Sequence, residues 1–155
     1  MDEILEKLLR EEEDLQFTSF NEDTAWQIGS QFVNVAKNEN LPITIDITRG
    51  VQQLFHASRP GASADNDEWI KRKIRLVTRL GHSSFYMGQY LKSCGKSIEE
   101  MYLLPESEYA PHGGWFPIII KGSGVIGTIA VSGLAQEDDH KLVVQIIRAY
   151  LNQNE

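Results

Sequence analysis

One cysteine, Cys94, is all the thiol in this 155-residue chain, so neither an intrachain disulfide nor a thiolate metal cage can form. Long apolar runs are missing as well. No stretch approaches the roughly 20 residues of a membrane-spanning helix, and the acidic start, MDEILEKLLREEE, is unlike the basic and apolar leader of an exported protein. Positive charge is in deficit: the formal net charge of −7 opposes general binding to nucleic acid or to anionic membrane, both polyanions. The four histidines, His56, His82, His112 and His140, show no H-x-x-x-H or H-x-H spacing, which argues against a preformed zinc site. No G-x-S-x-G nucleophile elbow occurs, so PHGGW (111–115) lacks the partner that a lipase oxyanion loop needs. His82 and Ser83 are chain neighbours at a helix corner and not a hydrolase pair. These absences leave a cytoplasmic, reduced protein as the expectation.

What is present is an ordinary globular composition, 41% hydrophobic and 24% charged, in a chain long enough for one core without staples. Ile4, Leu5, Leu8 and Leu9 give residues 2–14 a helical stripe. LQFTSF (15–20) alternates and reads as a first strand. Asn21 caps a helix to about Lys37 that carries Ala25, Ile28, Phe32, Val35 and Ala36 inward, with Glu22 and Asp23 in its first turn. LPITIDITRG and VQQLFHAS meet at Arg49-Gly50 as a hairpin. The loop RPGASADND leads to a helix over 66–80, capped by the pair Asp65 and Glu68 and ended by Gly81. Ser83 or Ser84 starts the next helix, which ends near Gly95. Ser97 and Glu100 have the spacing of a capping box, and residues 136–152 close the chain as a helix.

Gly122, Gly124 and Gly127 spell G-x-G-x-x-G after an apolar run. A dinucleotide fingerprint needs a helix to rise from those glycines, because its N-terminal N–H groups hold the pyrophosphate. Here Val125, Ile126, Thr128, Ile129 and Val131 follow, a β-branched and strand-like series. The string predicts a hairpin whose turn glycines supply positive φ. The near-continuous apolar character of these segments predicts a sheet buried on both faces, with helices on both sides.

The helix after Asp65 holds the main oddity. Trp69, Ile70, Ile74, Leu76, Val77 and Leu80 form one apolar arc, and Lys71, Arg72, Arg75 and Arg79 occupy the other side, but Lys73 falls inside the arc. An ammonium there must snorkel, pair with an acid, or meet an anionic ligand. The candidate ligand site is therefore Lys73, with Asp65 and Asn66 ordering the loop before it, Gly113 bringing backbone close, and His56, His82 or His112 as polar or axial contacts. A single histidine suffices as an axial haem ligand. EDDH (137–140) reads as acids in a helix's first turn and not as metal ligands. Cys94 shares the stripe of Met87 and Leu91 and reads as a buried structural thiol.

FHASRPGASADNDEWIKRK, GHSSFYMG, HGGWFPI and VSGLAQEDDH together resemble a family of uncharacterised bacterial and fungal proteins allied to the haem-degrading HbpS/GlcG-like domains. The resemblance runs from about Leu15 to Leu151, which leaves residues 1–14 as an N-terminal helix and 15–155 as the domain. It implies a single α/β (α+β) domain of profilin-like fold, a five-stranded antiparallel sheet flanked by helices, assembled into dimers or larger rings. It further implies that haem or a related tetrapyrrole is a candidate ligand, while fungal members look like partners of the machinery that inserts tail-anchored proteins. Two functions follow as expectations: an oligomeric domain that binds a small anionic ligand, haem included, or a cofactor-free protein-interaction module. No catalytic set is strong enough to name a reaction.

Overall fold

The computed structural model describes residues 3–155, so the expected helix start at residue 2 lies outside them. Ten elements follow in order: α1 (Glu3–Asp14), α2 (Glu22–Glu39), β1 (Thr44–Arg49), β2 (Gln52–Ser58), α3 (Ala64–Leu80), α4 (Ser84–Cys94), α5 (Ile98–Tyr102), β3 (Trp115–Ile120), β4 (Gly124–Ser132) and α6 (Gln136–Asn154). The strands form one sheet in the order β2-β1-β4-β3, every neighbouring pair antiparallel. The glycine string is a hairpin turn, with Gly122 at φ 78° and Gly124 at φ 97°. Asn21 caps α2 through its side chain, which accepts from Thr24 N–H at 3.0 Å.

The sheet has four strands and not the five expected. In LQFTSF only Phe17 reaches the sheet, as a single parallel bridge to Ile120, donating to Ile119 O at 2.7 Å and accepting from Lys121 N–H at 2.9 Å. Leu15, Phe17 and Phe20 are all buried, and the rings of Phe17 and Phe20 meet edge to face at 5.1 Å. The alternation that looked like a strand anchors a crossing segment in the core instead.

Helices cover both faces of the sheet, and the two faces differ. Ile45, Ile47, Phe116, Ile118, Ile129 and Val131 are fully buried in one large cluster with residues of α2 and α6. Each such side chain contributes about 1.5–3 kcal/mol by leaving water, so this layer holds the fold. On the other face, under α3, a small cluster joins Ile70, Val77, Trp115 and Ala130. The rest of that face is polar: Thr44, Asp46, Thr48, Thr128 and Ser132 are buried there. The sheet is buried on both faces as expected, one by apolar and the other largely by polar side chains. T-I-D-I-T alternates because only the isoleucines point at α2 and α6.

α4 and α5 carry a third cluster around Leu76, Met87, Leu91, Ile98 and Leu104. Cys94 is exposed, against the expectation of a buried thiol, because α4 ends at that residue and only Leu91 of its last turn faces the cluster. The N-terminal helix is fastened by consecutive acids: Glu11 meets His140 at 2.8 Å and Glu12 meets His82 at 2.7 Å.

Candidate functional site

α3 crosses the polar face of the sheet, and its start is built to be rigid. Asn66 Oδ1 accepts from Ser63 N–H at 2.8 Å, and Asn66 Nδ2 donates to Ser132 Oγ at 3.1 Å, which ties the helix to the end of β4. The helix begins at Ala64 with Ser63 as its cap, two residues earlier than expected, and the capping partner is Asn66 instead of Glu68. Asn66 thus joins the loop before α3 to β4, and Asp65 lines the cleft that opens beside it.

That cleft encloses about 270 Å³, and Lys73, Trp69, His112, Gln136 and Asp139 also line it. Lys73 does not snorkel. It is 5% exposed, donates to Gly113 O at 3.0 Å, and places its ammonium 4.3 Å from the ring centre of Trp115 and 5.6 Å from that of Trp69. Two indole faces and a carbonyl stabilise the cation partly. Burial lowers its pKa to about 8, opposed by the negative charge of Asp139 and reinforced by the positive charge of Arg72. Asp139 is 2% exposed, and burial raises its pKa to about 7, against the hydrogen bonds it accepts and the attraction of Lys73. Its Oδ1 accepts from Leu134 N–H at 3.1 Å. Lys73 and Asp139 form no ion pair within 4 Å among the described residues. Among the described residues the indole N–H of Trp115 is buried without an acceptor, beneath the cleft and not on its wall. An ammonium held short of full compensation at the wall of an open cleft favours an anion.

Gly113 is demanded by the start of α6, and Gly114 by β4 and then α6. A Cβ on Gly113 would collide with Gln136 O, and one on Gly114 with Val131 O, at a φ of 121°. Gly113 N–H also donates to Gln136 Oε1 at 3.2 Å. The PHGGW segment therefore closes on the start of α6 and turns the Gly113 carbonyl toward Lys73.

The three candidate histidines separate. His112 is at the cleft rim, edge to face with Trp69 at 5.8 Å, and burial followed by the charges of Lys73 and Arg72 lowers its pKa. His56 pairs with Asp67 at 2.7 Å in a different groove. His82 pairs with Glu12, and that hydrogen bond raises its pKa. Neither His56 nor His82 lines the Lys73 cleft. Trp69, Ser132, Gln136 and Asp139 were not foreseen as cleft residues. The acidic run of EDDH was visible, but Asp139's burial depends on Gly114, 25 residues earlier in the chain.

With the cleft in place, similarity to known proteins becomes informative. The profile of the family described as haem degrading protein HbpS-like matches residues 20–148. The chain belongs to the HbpS-like family. Its relatives include a UPF0303 protein of Streptomyces coelicolor, 43% identical over 95% of this chain and 93% of the relative, and one of Edwardsiella ictaluri, 45% identical over 99% and 98%. Among solved structures, the Ybr137w protein superposes with a TM-score of 0.89 at 34% identity, covering 96% of this chain and 88% of that one. HbpS gives a TM-score of 0.66 at 16% identity, covering 88% of this chain and 92% of that one. A PduOC:heme complex gives 0.68 at 17%, covering 86% and 94%. At those last two identities the likeness establishes the shared fold alone.

Proposed function

We propose that this HbpS-like chain is a cytoplasmic, oligomeric domain that binds a small carboxylate-bearing ligand in the cleft between the start of α3, the PHGGW segment and the start of α6. The buried Lys73 ammonium carries this reading. It sits 5% exposed at the cleft wall with, among the described residues, only a backbone carbonyl as a hydrogen-bond partner, and an anion supplies the missing compensation. Asn66, Ser132 and Gln136 offer neutral polar contacts that fix orientation. The exposed thiol of Cys94 suits a reducing compartment. The edge strand β2 and the exposed Trp26 supply surface for self-association.

Haem, the ligand that the family description suggests, fits this cleft poorly within one chain. Its carboxylates would suit Lys73 and its iron would suit a neutral His112, but Asp65, Asn66, Ser132, Gln136 and Asp139 make the walls polar, where a macrocycle needs apolar faces. The cleft takes an anionic head of modest size.

The deciding experiment titrates acetate, glyoxylate and inorganic phosphate by calorimetry, beside a haemin titration followed at the Soret band. The expected result is saturable binding of at least one small anion, weakened at least about tenfold in Lys73→Met, with no loss of thermal stability in that variant. Equal binding by both proteins overturns the lysine assignment. A stoichiometric haemin complex whose shifted Soret band disappears in His112→Ala replaces the small carboxylate with haem.

A further inference from the structure

A second groove lies along the other flank of α3, above β1 and β2, and it has the opposite character. It encloses about 370 Å³. At its base is Asp46, 1% exposed on a strand paired on both sides, so the backbone donors around it are engaged in the sheet. Thr48 Oγ1 donates to one carboxylate oxygen at 2.6 Å and Gln53 Nε2 to the other at 2.6 Å. Both donors are neutral. No lysine, arginine or histidine lies within ion-pair distance of Asp46 among the described residues. A buried carboxylate with two neutral donors and no counter-charge is an unusual expense for a fold to carry.

The basic groups of this groove are already engaged. His56 is held by Asp67 at 2.7 Å, and Lys71 by Glu68 at 3.1 Å. Beside Thr48, across the β1–β4 register, the buried hydroxyl of Thr128 has no hydrogen-bond partner among the described residues. Ile70 and Ile74 form the apolar part of the α3 wall, with the charged Asp67 and Lys71 beside them. The described residues bring together no set of three metal-ligating side chains, and a divalent ion needs more oxygen ligands than Asp46 and the engaged Asp67 supply. A positively charged head with an aliphatic stem answers every feature: charge for Asp46, donors for the free lone pairs, methylenes for the isoleucines.

The strand itself is adjusted to make this site. Asp46 faces His56 and Ile47 faces Phe55, but Thr48 faces Gln53, with a register shift between Ile47 and Thr48. Leu54 is the extra residue, and it joins Phe55 against the large core on the far face. Without that bulge Leu54 would stand opposite Thr48. With it, an amide donor reaches Asp46. Bulges re-aim side chains in this way beside functional sites.

We infer that the groove between α3 and the β1–β2 hairpin is a binding site for a small aliphatic amine, whose ammonium pairs with Asp46 and whose carbon chain lies along Ile70 and Ile74. The inference is independent of the anion cleft, because the two sites share no lining residue.

The test titrates n-butylammonium into the isotope-labelled protein and follows amide shifts by NMR, with n-butanol as the uncharged control. Saturable shifts centred on residues 46–48, 53–56 and 70–74 are expected. Affinity should fall at least tenfold in Asp46→Asn and stay within twofold in Lys141→Ala, a change on the exposed side of α6. Ile74→Trp keeps the carboxylate and fills the groove, so it should abolish binding even where Asp46→Asn proves poorly folded. Three results overturn the site: equal binding of n-butanol, shifts indifferent to both groove variants, or no saturable shift up to tens of millimolar amine.

Discussion

The two flanks of α3 meet the same polar sheet face and solve opposite problems. On the β3–β4 side a cation, Lys73, is buried among indole rings and a carbonyl. On the β1–β2 side an anion, Asp46, is buried among a hydroxyl and an amide. Neither charge is cancelled by a direct ion pair. The groups that compensate them partly come from very different distances in the chain. Asp46 is served by residues 2 and 7 positions away, whereas Lys73 depends on Gly113, 40 residues on. The acidic groove is a local product of one bulged hairpin. The basic cleft is a tertiary product, and it stands or falls with the packing of PHGGW on α6.

That contrast predicts where the molecule is most easily broken. Gly114→Ala forces an L side chain into φ 121° and drives its Cβ into Val131 O and toward Asp139. A loss of about 3 kcal/mol or more is expected in urea unfolding, and a loss under 0.5 kcal/mol would show that the close approach is not what holds the cleft. Asp46→Ala comes next, at about 2 kcal/mol, because it leaves the Thr48 hydroxyl and the Gln53 amide without their acceptor. Lys73→Met should behave differently: replacing a buried, incompletely compensated ion by an apolar side chain of similar length should leave the melting temperature unchanged or raise it.

The pH dependence sharpens the comparison further. Asp139 titrates at about 7 when folded against an ordinary 3.8, so between those values the folded protein holds a proton that the unfolded chain has released. Stability attributable to this group therefore falls as pH rises from about 4 to 7. Lys73 titrates at about 8 against an ordinary 10.5; above 8 the folded protein has shed a proton that the unfolded chain keeps, so its contribution rises toward pH 10. Thermal melts of Asp139→Asn should match the native protein near pH 4 and exceed it by pH 8, and a difference of constant size across that range would remove the titration from the account. The smallest effect belongs to the exposed pair Lys71–Glu68: Glu68→Ala should cost less than about 0.5 kcal/mol, unless Lys71 then swings to Asp46 and weakens amine binding.

Much of the scaffold was legible because its signals are short-range. The β-branched residues after Gly124 gave the hairpin, and Asn21, Gly81, Ser83 and Ser97 marked helix ends where the structure has them. Lys73 stood out from helical periodicity alone. The misreadings share a cause. Phe17 alternates like a strand residue, yet a single bridge is all the sheet edge accepts. Cys94 follows the apolar stripe of α4 but sits where the helix runs out. Asp46 stands in plain view between two isoleucines, yet the sequence reads as an apolar strand, because sidedness emerges only when α2 and α6 claim one face. Asp139 was hidden by distance, since its burial depends on glycines in another segment.

α3 is a single stiff rod of 17 residues serving as the common wall of both recesses. Ile70 and Val77 seat it on Trp115 and Ala130 of the sheet, so a single change that unseats this helix takes one wall from both recesses at once.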